Sequence, residues 1–219
     1  MTPERYAKLK RVLAARQPDL TVLMENVHKS HNIAAILRTC DATGVFAANA
    51  VSHEGEVDRH HMVSGGSRKW VAARLHATID TACEDLRGSG HQLLAAHLSD
   101  EARDYREFDY TRPTAFVLGS ELWGVTTRAA ELADAHVIVP MEGLVSSLNV
   151  SVAGALLLYE ARRQREQAGL YAKNRIDPEV FSRTLFEWSH PGIALRCRER
   201  GLPYPPLTEE GDLAANPFG

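Results

Sequence analysis

Two kinds of apolar pattern alternate along the chain. Short, largely apolar runs at Leu20–Met24, Val45–Val51, Trp70–Leu75, Gln92–Leu98, Thr114–Leu118 and His136–Val139 predict strands. Between them lie segments with helical spacing. Tyr6, Leu9, Val12 and Leu13 predict an amphipathic helix over residues 3–16, stopped by Pro18. Ile33, Ile36 and Leu37 share one face of a helix over Ser30–Ala42, with Gly44 placed as its C′ glycine. Helices are also predicted over Thr78–Leu86, over Thr126–Ala133 and over residues 149–167, whose first half is small and apolar and whose second half is basic. Strands that alternate with helices give a parallel sheet covered on both faces, an α/β fold. The polar stretches 52–69, with its histidines and Gly65-Gly66, and 99–111 read as loops. After Pro178 the pattern weakens: Phe181, Leu185, Phe186 and Trp188 suggest one more helix, and the Pro-, Gly- and Glu-rich end is expected to fray.

With 219 residues, 44% of them hydrophobic, the chain suits one α/β domain with terminal helical extensions. The expected division is a basic N-terminal helix (1–17), a core (18–167) and a C-terminal extension (168–219). No apolar run is long enough to span a bilayer and MTPERYAKLKR is no signal peptide, so no membrane and a cytoplasmic location are expected. Cys40, Cys83 and Cys197 form no CxxC pair, which predicts reduced thiols and no metal. The net charge of −3 conceals basic ends. Arg5, Lys8, Lys10, Arg11 and Arg16 cluster at one, and Arg162, Arg163, Arg165, Lys173 and Arg175 near the other. Such ends fit arms that touch a polyanion, and equally fit solvated helix faces.

The usual nucleotide signatures are missing: there is no GxGxxG, no GxxxxGK[ST] and no GxSxG. Three other segments concentrate polar groups at predicted strand-to-helix junctions. In HNIAAILRTCDATG (31–44), Asn32 falls near a helix N-terminus and Arg38 about two turns on, a plausible phosphate site or simply a cap and a surface arginine. In FVLGSELWGVT (116–126), a buried strand runs into Gly119, Ser120 and Glu121, where glycine would admit a ligand to the backbone, or form an ordinary turn. In VIVPMEGLVSSLNVSVAGALLLYEARRQR (137–165), a strand ends at Pro140. A loop with Ser146, Ser147 and Asn149 then precedes a helix of small residues, which suits a backbone-lined adenine pocket or a tight helix contact.

Taken together, these segments resemble the three motifs of the SPOUT superfamily of methyltransferases, and most closely its TrmH branch, the tRNA guanosine-18 2′-O-methyltransferases. Asn32, Arg38, Thr39, Asp41 and Gly44 match the first motif; Gly119, Glu121 and Gly124 the second; Ile138, Pro140, Met141, Gly143, Ser147, Leu148, Asn149 and Ser151 the third. RQPDLTVLMENVHKSHN, SGGSRKWV and DYREFDYTRPTA extend the likeness over roughly residues 1–175, and GLPYPP resembles the tail of the longer bacterial form. Ser120, Glu142 and Leu144 depart from the commoner pattern. The resemblance implies a parallel sheet with a deep C-terminal trefoil knot, a homodimer and a tRNA substrate. It also implies S-adenosylmethionine held by Ala96, His97, Leu98, Gly119, Ile138, Pro140, Met141, Ser147, Leu148 and Asn149. Arg38 would act on the ribose hydroxyl, supported by Asn32, Glu121, Ser147 and Asn149. Arginine stays protonated, with a free pKa above ~12, so its safer role is to stabilise the developing alkoxide. Arg11, Arg16, Arg163, Arg165 and Arg175 are the expected RNA contacts. Rival readings are a ribose methyltransferase of rRNA or of a tRNA wobble position, and a non-catalytic RNA-binding protein; Arg38 and Asn149, both present, disfavour the last.

Overall fold

The computed structural model describes residues 1–51 and 69–218. The loop expected at 52–69 and most of the SGGSRKWV segment therefore lie outside the described residues. In chain order the elements are α1 (Pro3–Ala14), β1 (Leu20–Glu25), α2 (Ser30–Thr43), β2 (Ala47–Val51), β3 (Ala72–His76), α3 (Ile79–Gly88), β4 (Gln92–Ala96) and β5 (Arg103–Asp104). The 3-10 turn Tyr105–Glu107 leads to β6 (Thr114–Leu118), α4 (Thr127–Leu132), β7 (Ala135–Ile138), α5 (Val150–Gln167), α6 (Pro178–Ser189) and α7 (Pro191–Glu199).

The seven strands form one sheet in the order β3-β2-β1-β6-β4-β7-β5, and every pairing is parallel. Its centre is apolar on both sides, as a sheet covered by helices requires. On one face Leu20, Val22, Met24, Leu94, Phe116 and Leu118 pack with Ile33, Ile36 and Leu37 of α2 and Leu157, Leu158 and Ala161 of α5. On the other, Leu23, Leu93, Ala95, Ala115 and Val117 pack with α3 and α4. Alternate residues of each central strand supply the two cores, the period of two expected of a pleated strand. Gly154 lets α5 lie close to the sheet: a Cβ there would stand 3.0 Å from Leu118 Cδ1.

The chain divides into two compact units, Gln17–Leu170 and a second made of Met1–Arg16 with Tyr171–Gly219. In the second, α1 packs on α6 and α6 on α7. The end expected to fray is held. His190 Nε2 donates to the Gly211 carbonyl at 2.8 Å, Phe186 and Tyr204 stack at 4.6 Å, and Arg196 lies over Phe218 at 3.9 Å. Gly211, at φ +87°, sits so tightly on Tyr6 that a Cβ would come 2.3 Å from its ring. Helix α7 lies in the stretch where the apolar pattern weakens, and Pro191 stands in its first turn, a position to which proline is well suited.

Two expected RNA contacts are corrected by burial. Arg165 is fully buried in the larger unit, and all of its guanidinium nitrogens donate. Nε meets the Tyr110 carbonyl at 2.8 Å, Nη1 meets Asp19 Oδ1 at 2.7 Å and Gln17 Oε1 at 3.2 Å, and Nη2 meets the carbonyls of Asp19 at 3.1 Å and Arg112 at 2.8 Å. With five N–H groups committed, this arginine is an internal strut with nothing left for a phosphate. Arg16 is 1% exposed, its guanidinium 5.4 Å from the centre of the Trp188 ring, and it too belongs to packing. Arg11, Arg163 and Arg175 are on the surface.

Candidate active site

The carboxyl ends of β4, β6 and β7 open into a cavity of about 880 Å³, the edge at which parallel sheets bind ligands. Residues 96–98, 118–124, 137–141 and 146–150 line it, with Lys29, Ala153 and Leu157. The cofactor residues expected from sequence, Ala96, His97, Leu98, Gly119, Ile138, Pro140, Met141, Ser147, Leu148 and Asn149, are thus all brought to one cavity. The last ladder pair between β4 and β7 is Ala96↔Val137, so the backbone of His97, Leu98, Val139 and Pro140 continues beyond the ladder. Gly119 must be glycine: a Cβ would lie 2.0–2.2 Å from the backbone of Gly124 and Val125. The loop closes through Ser120 N to Gly124 O at 2.9 Å and Gly124 N to Ser120 O at 3.0 Å, with Gly124 at φ +68°.

One chain of hydrogen bonds joins the three sequence segments. Glu121 accepts from Asn32 Nδ2 at 2.8 Å, from Lys29 N at 3.1 Å and from His28 N at 3.4 Å. The carbonyl oxygen of the Asn32 side chain accepts from Asn149 Nδ2 at 3.1 Å. Asn149 Oδ1 in turn caps α5, accepting from Ser151 N at 2.8 Å and Ser151 Oγ at 2.6 Å. Partial burial pushes the Glu121 pKa up, but the Asn32 amide and the backbone N–H groups outweigh it and hold the carboxyl below its ordinary value. Helix α2 has no side-chain cap of its own, and Glu121 serves that end from across the chain. The Asn32 amide and the backbone N–H groups of His28 and Lys29 thus already face a carboxylate.

Arg38 stands apart. It is exposed on α2, makes no hydrogen bond or ion pair among the described residues and does not line the cavity. Six residues past Asn32, it is about 9 Å further along the helix and on another face. Ser147 is exposed at the cavity wall and is not part of the hydrogen-bonded chain.

Sequence reasoning missed Lys29 as a lining residue, and it missed Glu25. This buried carboxylate closes the apolar run of β1 and accepts from Thr126 N at 2.9 Å and Thr126 Oγ1 at 2.6 Å, which fixes the far end of the 119–126 loop. A carboxylate inside an apolar strand is a signal in itself, because it must find donors. Two apolar side chains of the cavity lining face outward: Leu98 is 71% exposed and Trp123 87%.

Two family models cover most of the chain: the SpoU rRNA methylase family over residues 19–159 and the C-terminal region of SpoU rRNA methylases over 163–216. The chain is 49% identical over 218 residues to the tRNA (guanosine(18)-2′-O)-methyltransferase of Escherichia coli K12, spanning 99% of this chain and 95% of that one. Among solved structures it resembles the A. aeolicus TrmH/SpoU tRNA modifying enzyme, with a TM-score of 0.79, 39% identity and coverage of 87% of this chain and 97% of the other. It also resembles the SpoU methyltransferase AviRb of Streptomyces viridochromogenes in complex with the cofactor AdoMet, with a TM-score of 0.59, 29% identity and coverage of 68% and 59%.

Proposed function

The chain belongs to the SpoU methylase family, and from that premise we propose that it transfers a methyl group from S-adenosylmethionine to the ribose 2′-hydroxyl of guanosine 18 in tRNA. The observation that carries this reading is the hydrogen-bonded chain Glu121–Asn32–Asn149, which unites all three sequence segments at the wall of one cavity. The cofactor fits its lining. Ala96, Leu118, Val137, Ile138 and Leu157 offer apolar walls for an adenine, and the peptide groups that follow β4 and β7 offer hydrogen bonds to its edge. When bound, S-adenosylmethionine supplies an electrophilic methyl group.

The protein's own work is to place the ribose hydroxyl and tolerate the charge that grows on it. Glu121 holds the N-terminal turn of α2, and through Asn32 it fixes the first turn of α5. Arg38, on the same α2, carries the fixed positive charge that stabilises the alkoxide. Because Arg38 does not line the cavity of its own chain, the working unit in this proposal is a homodimer with the site at the subunit interface. Val152, Leu156 and Tyr159, spaced i, i+4, i+7 on α5 and 47%, 37% and 50% exposed, form an apolar stripe that supports such an interface. The deep trefoil knot implied by the resemblance and action in the cytoplasm, where its substrate is found, are parts of the same proposal.

The test is to incubate the protein with unmodified tRNA and S-adenosylmethionine, digest the product and locate the modified nucleoside by mass spectrometry. The expected product is 2′-O-methylguanosine at position 18. Methylation at a wobble nucleotide, or only of rRNA, overturns the substrate assignment, and no methyl transfer overturns the activity.

Exposed basic residues of the terminal segments supply the polyanion contacts in this reading. Replacing Arg11, Arg163 and Arg175 together by alanine should weaken tRNA binding and lower the salt slope by about 0.7–0.9 for each phosphate that is no longer neutralised. Cofactor binding should be unchanged. Fluorescence titration at several salt concentrations measures both quantities, and an unaltered slope would return these side chains to the status of solvated helix faces. Glu160 pairs with Arg163 at 2.7 Å and competes with a phosphate for it.

A further inference from the structure

Two carboxylates hold the same two stretches of chain together, each from its own side. β1 and β6 are paired neighbours whose ladder ends at Met24↔Leu118, and the chain leaves both at the cavity edge of the sheet. From the stretch after β6, Glu121 accepts the N–H groups of His28 and Lys29 and the Asn32 amide, all in the stretch after β1. From the end of β1, Glu25 reaches the other way. Its Oε2 accepts from Thr126 N at 2.9 Å and its Oε1 from Thr126 Oγ1 at 2.6 Å. The Thr126 oxygen itself accepts from Ala129 N at 3.1 Å, which leaves the hydroxyl proton to point at Glu25. Glu25 thus uses both of its oxygens as acceptors. It is fully buried and does not line the cavity, whereas Glu121 does.

We propose that Glu25 is a positioning residue for the cofactor cavity, acting through Thr126 on the wall formed by residues 118–124. The inference rests on the cofactor reading above. The mechanical link is short. Thr126 is joined through Val125 to Gly124, and the backbone of Gly124 and Val125 lies so close to Gly119 that a Cβ there would stand 2.0–2.2 Å from it. Packing this close leaves no slack, so a shift of Thr126 is passed to Gly119, and both Gly119 and Glu121 line the cavity. A buried carboxylate has no water to turn to, and Glu25 therefore holds Thr126 to one position. An amide of the same shape cannot take over. Glutamine offers one acceptor and an NH2 group that only donates, so one of the two Thr126 donors would face another donor.

The test is calorimetric titration of the full chain with S-adenosylmethionine, at a temperature at which circular dichroism shows each variant folded. Glu25→Gln should raise the Kd about tenfold, the effect of one buried hydrogen bond left unmade. Thr126→Val, which removes one of the two donors from the opposite side, should raise it too, and it carries the test where Glu25→Gln does not fold. Thr126→Ser, which keeps both donors, should bind as the parent does. The double variant Glu25→Gln/Thr126→Val should bind about as weakly as Glu25→Gln alone, because both substitutions break the same contact. Arg165→Ala separates lost stability from lost positioning. It breaks a buried pair at the opposite ends of β1 and β6, beside Asp19 and Arg112, and should leave the Kd unchanged. Without any ligand, hydrogen exchange should show the Lys29 amide, a donor to Glu121, losing protection in Glu25→Gln and keeping it in Thr126→Ser. An unchanged Kd in Glu25→Gln or in Thr126→Val, or full protection of Lys29 in Glu25→Gln, overturns the inference and leaves the cofactor reading intact. Effects that add in the double variant, or an equal rise of Kd in Arg165→Ala, overturn it as well and make Glu25 a residue of stability alone. A parent protein that does not bind S-adenosylmethionine overturns both readings together.

Discussion

Replacing Arg38 by alanine is expected to lower single-turnover methyl transfer to unmodified tRNA by about 10²–10³-fold, the usual cost of deleting one donor aimed at developing charge. The argument is one of chemistry and of placement. A ribose hydroxyl is a poor nucleophile, and a charge that is present before the reaction begins needs no reorganisation when the alkoxide forms. Arg38 is exposed and its guanidinium has no hydrogen-bond partner among the described residues, so its fork of donors is uncommitted. Glu121, Asn32 and Asn149 are by contrast occupied with one another. Lysine should not restore the rate, since a point charge does not reproduce a planar fork. Cofactor affinity, read separately by calorimetry, should be unchanged because Arg38 does not line the cavity. Near-normal turnover in Arg38→Ala would remove the electrostatic mechanism, and a parallel loss of cofactor binding would place Arg38 elsewhere than proposed.

Arg165→Ala should destabilise the protein by about 3–5 kcal/mol, the cost of breaking a buried charge pair by removing one partner. The substitution strands the Asp19 carboxylate and the carbonyls of Tyr110, Asp19 and Arg112, all of which this single guanidinium satisfies. For a unit of this size that loss corresponds to a fall in Tm of roughly 6–20 °C. Arg163→Ala, two residues earlier on the same helix but on its exposed side, should leave stability close to that of the parent. Thermal unfolding of the two variants side by side gives the comparison. Equal stability of both, with tRNA binding lost in Arg165→Ala, would contradict the burial of this side chain.

The contrast between those neighbours marks how far the sequence could be read. Apolar runs located the central strands β1, β4 and β6, because a strand buried on both faces has no polar alternation to confuse it. The two-residue strand β5 lies in a polar stretch that reads as a loop, and nothing in Arg103-Asp104 marks it before β7 is there to pair with. Ends were also less legible. Leu98 reads as part of the β4 run, yet the strand stops at Ala96 and Leu98 is exposed at the cavity rim, where apolar character serves a surface. Val45 reads as the start of β2, but its N–H instead closes the end of α2 by donating to the Cys40 carbonyl at 2.9 Å. Counting arginines found the basic segments and could not say which members face inward, since Arg165 looks like Arg163 until Asp19 and Gln17 arrive from the other end of the chain. The same holds within the site. Each motif residue was visible, but the bonds from Asn32 to Glu121 and to Asn149 join residues whose separation in the chain hides their contact. His97 and His136 meet only because β4 and β7 are neighbours in the sheet.

The strand order carries a consequence for how the chain is made. β1 emerges well before β6 during synthesis, yet β6 is its central partner, with Leu20 opposite Thr114 and Met24 opposite Leu118. Translation adds roughly 5–20 residues per second, so the β6 side of β1 waits on the order of 5–20 seconds for its neighbour. Through that interval LTVLME, apolar and able to pair edge to edge, has β2 on one side at most. Nascent chains stalled before Thr114 should therefore be the aggregation-prone species, and release of the stall past Leu118 should end their dependence on chaperones.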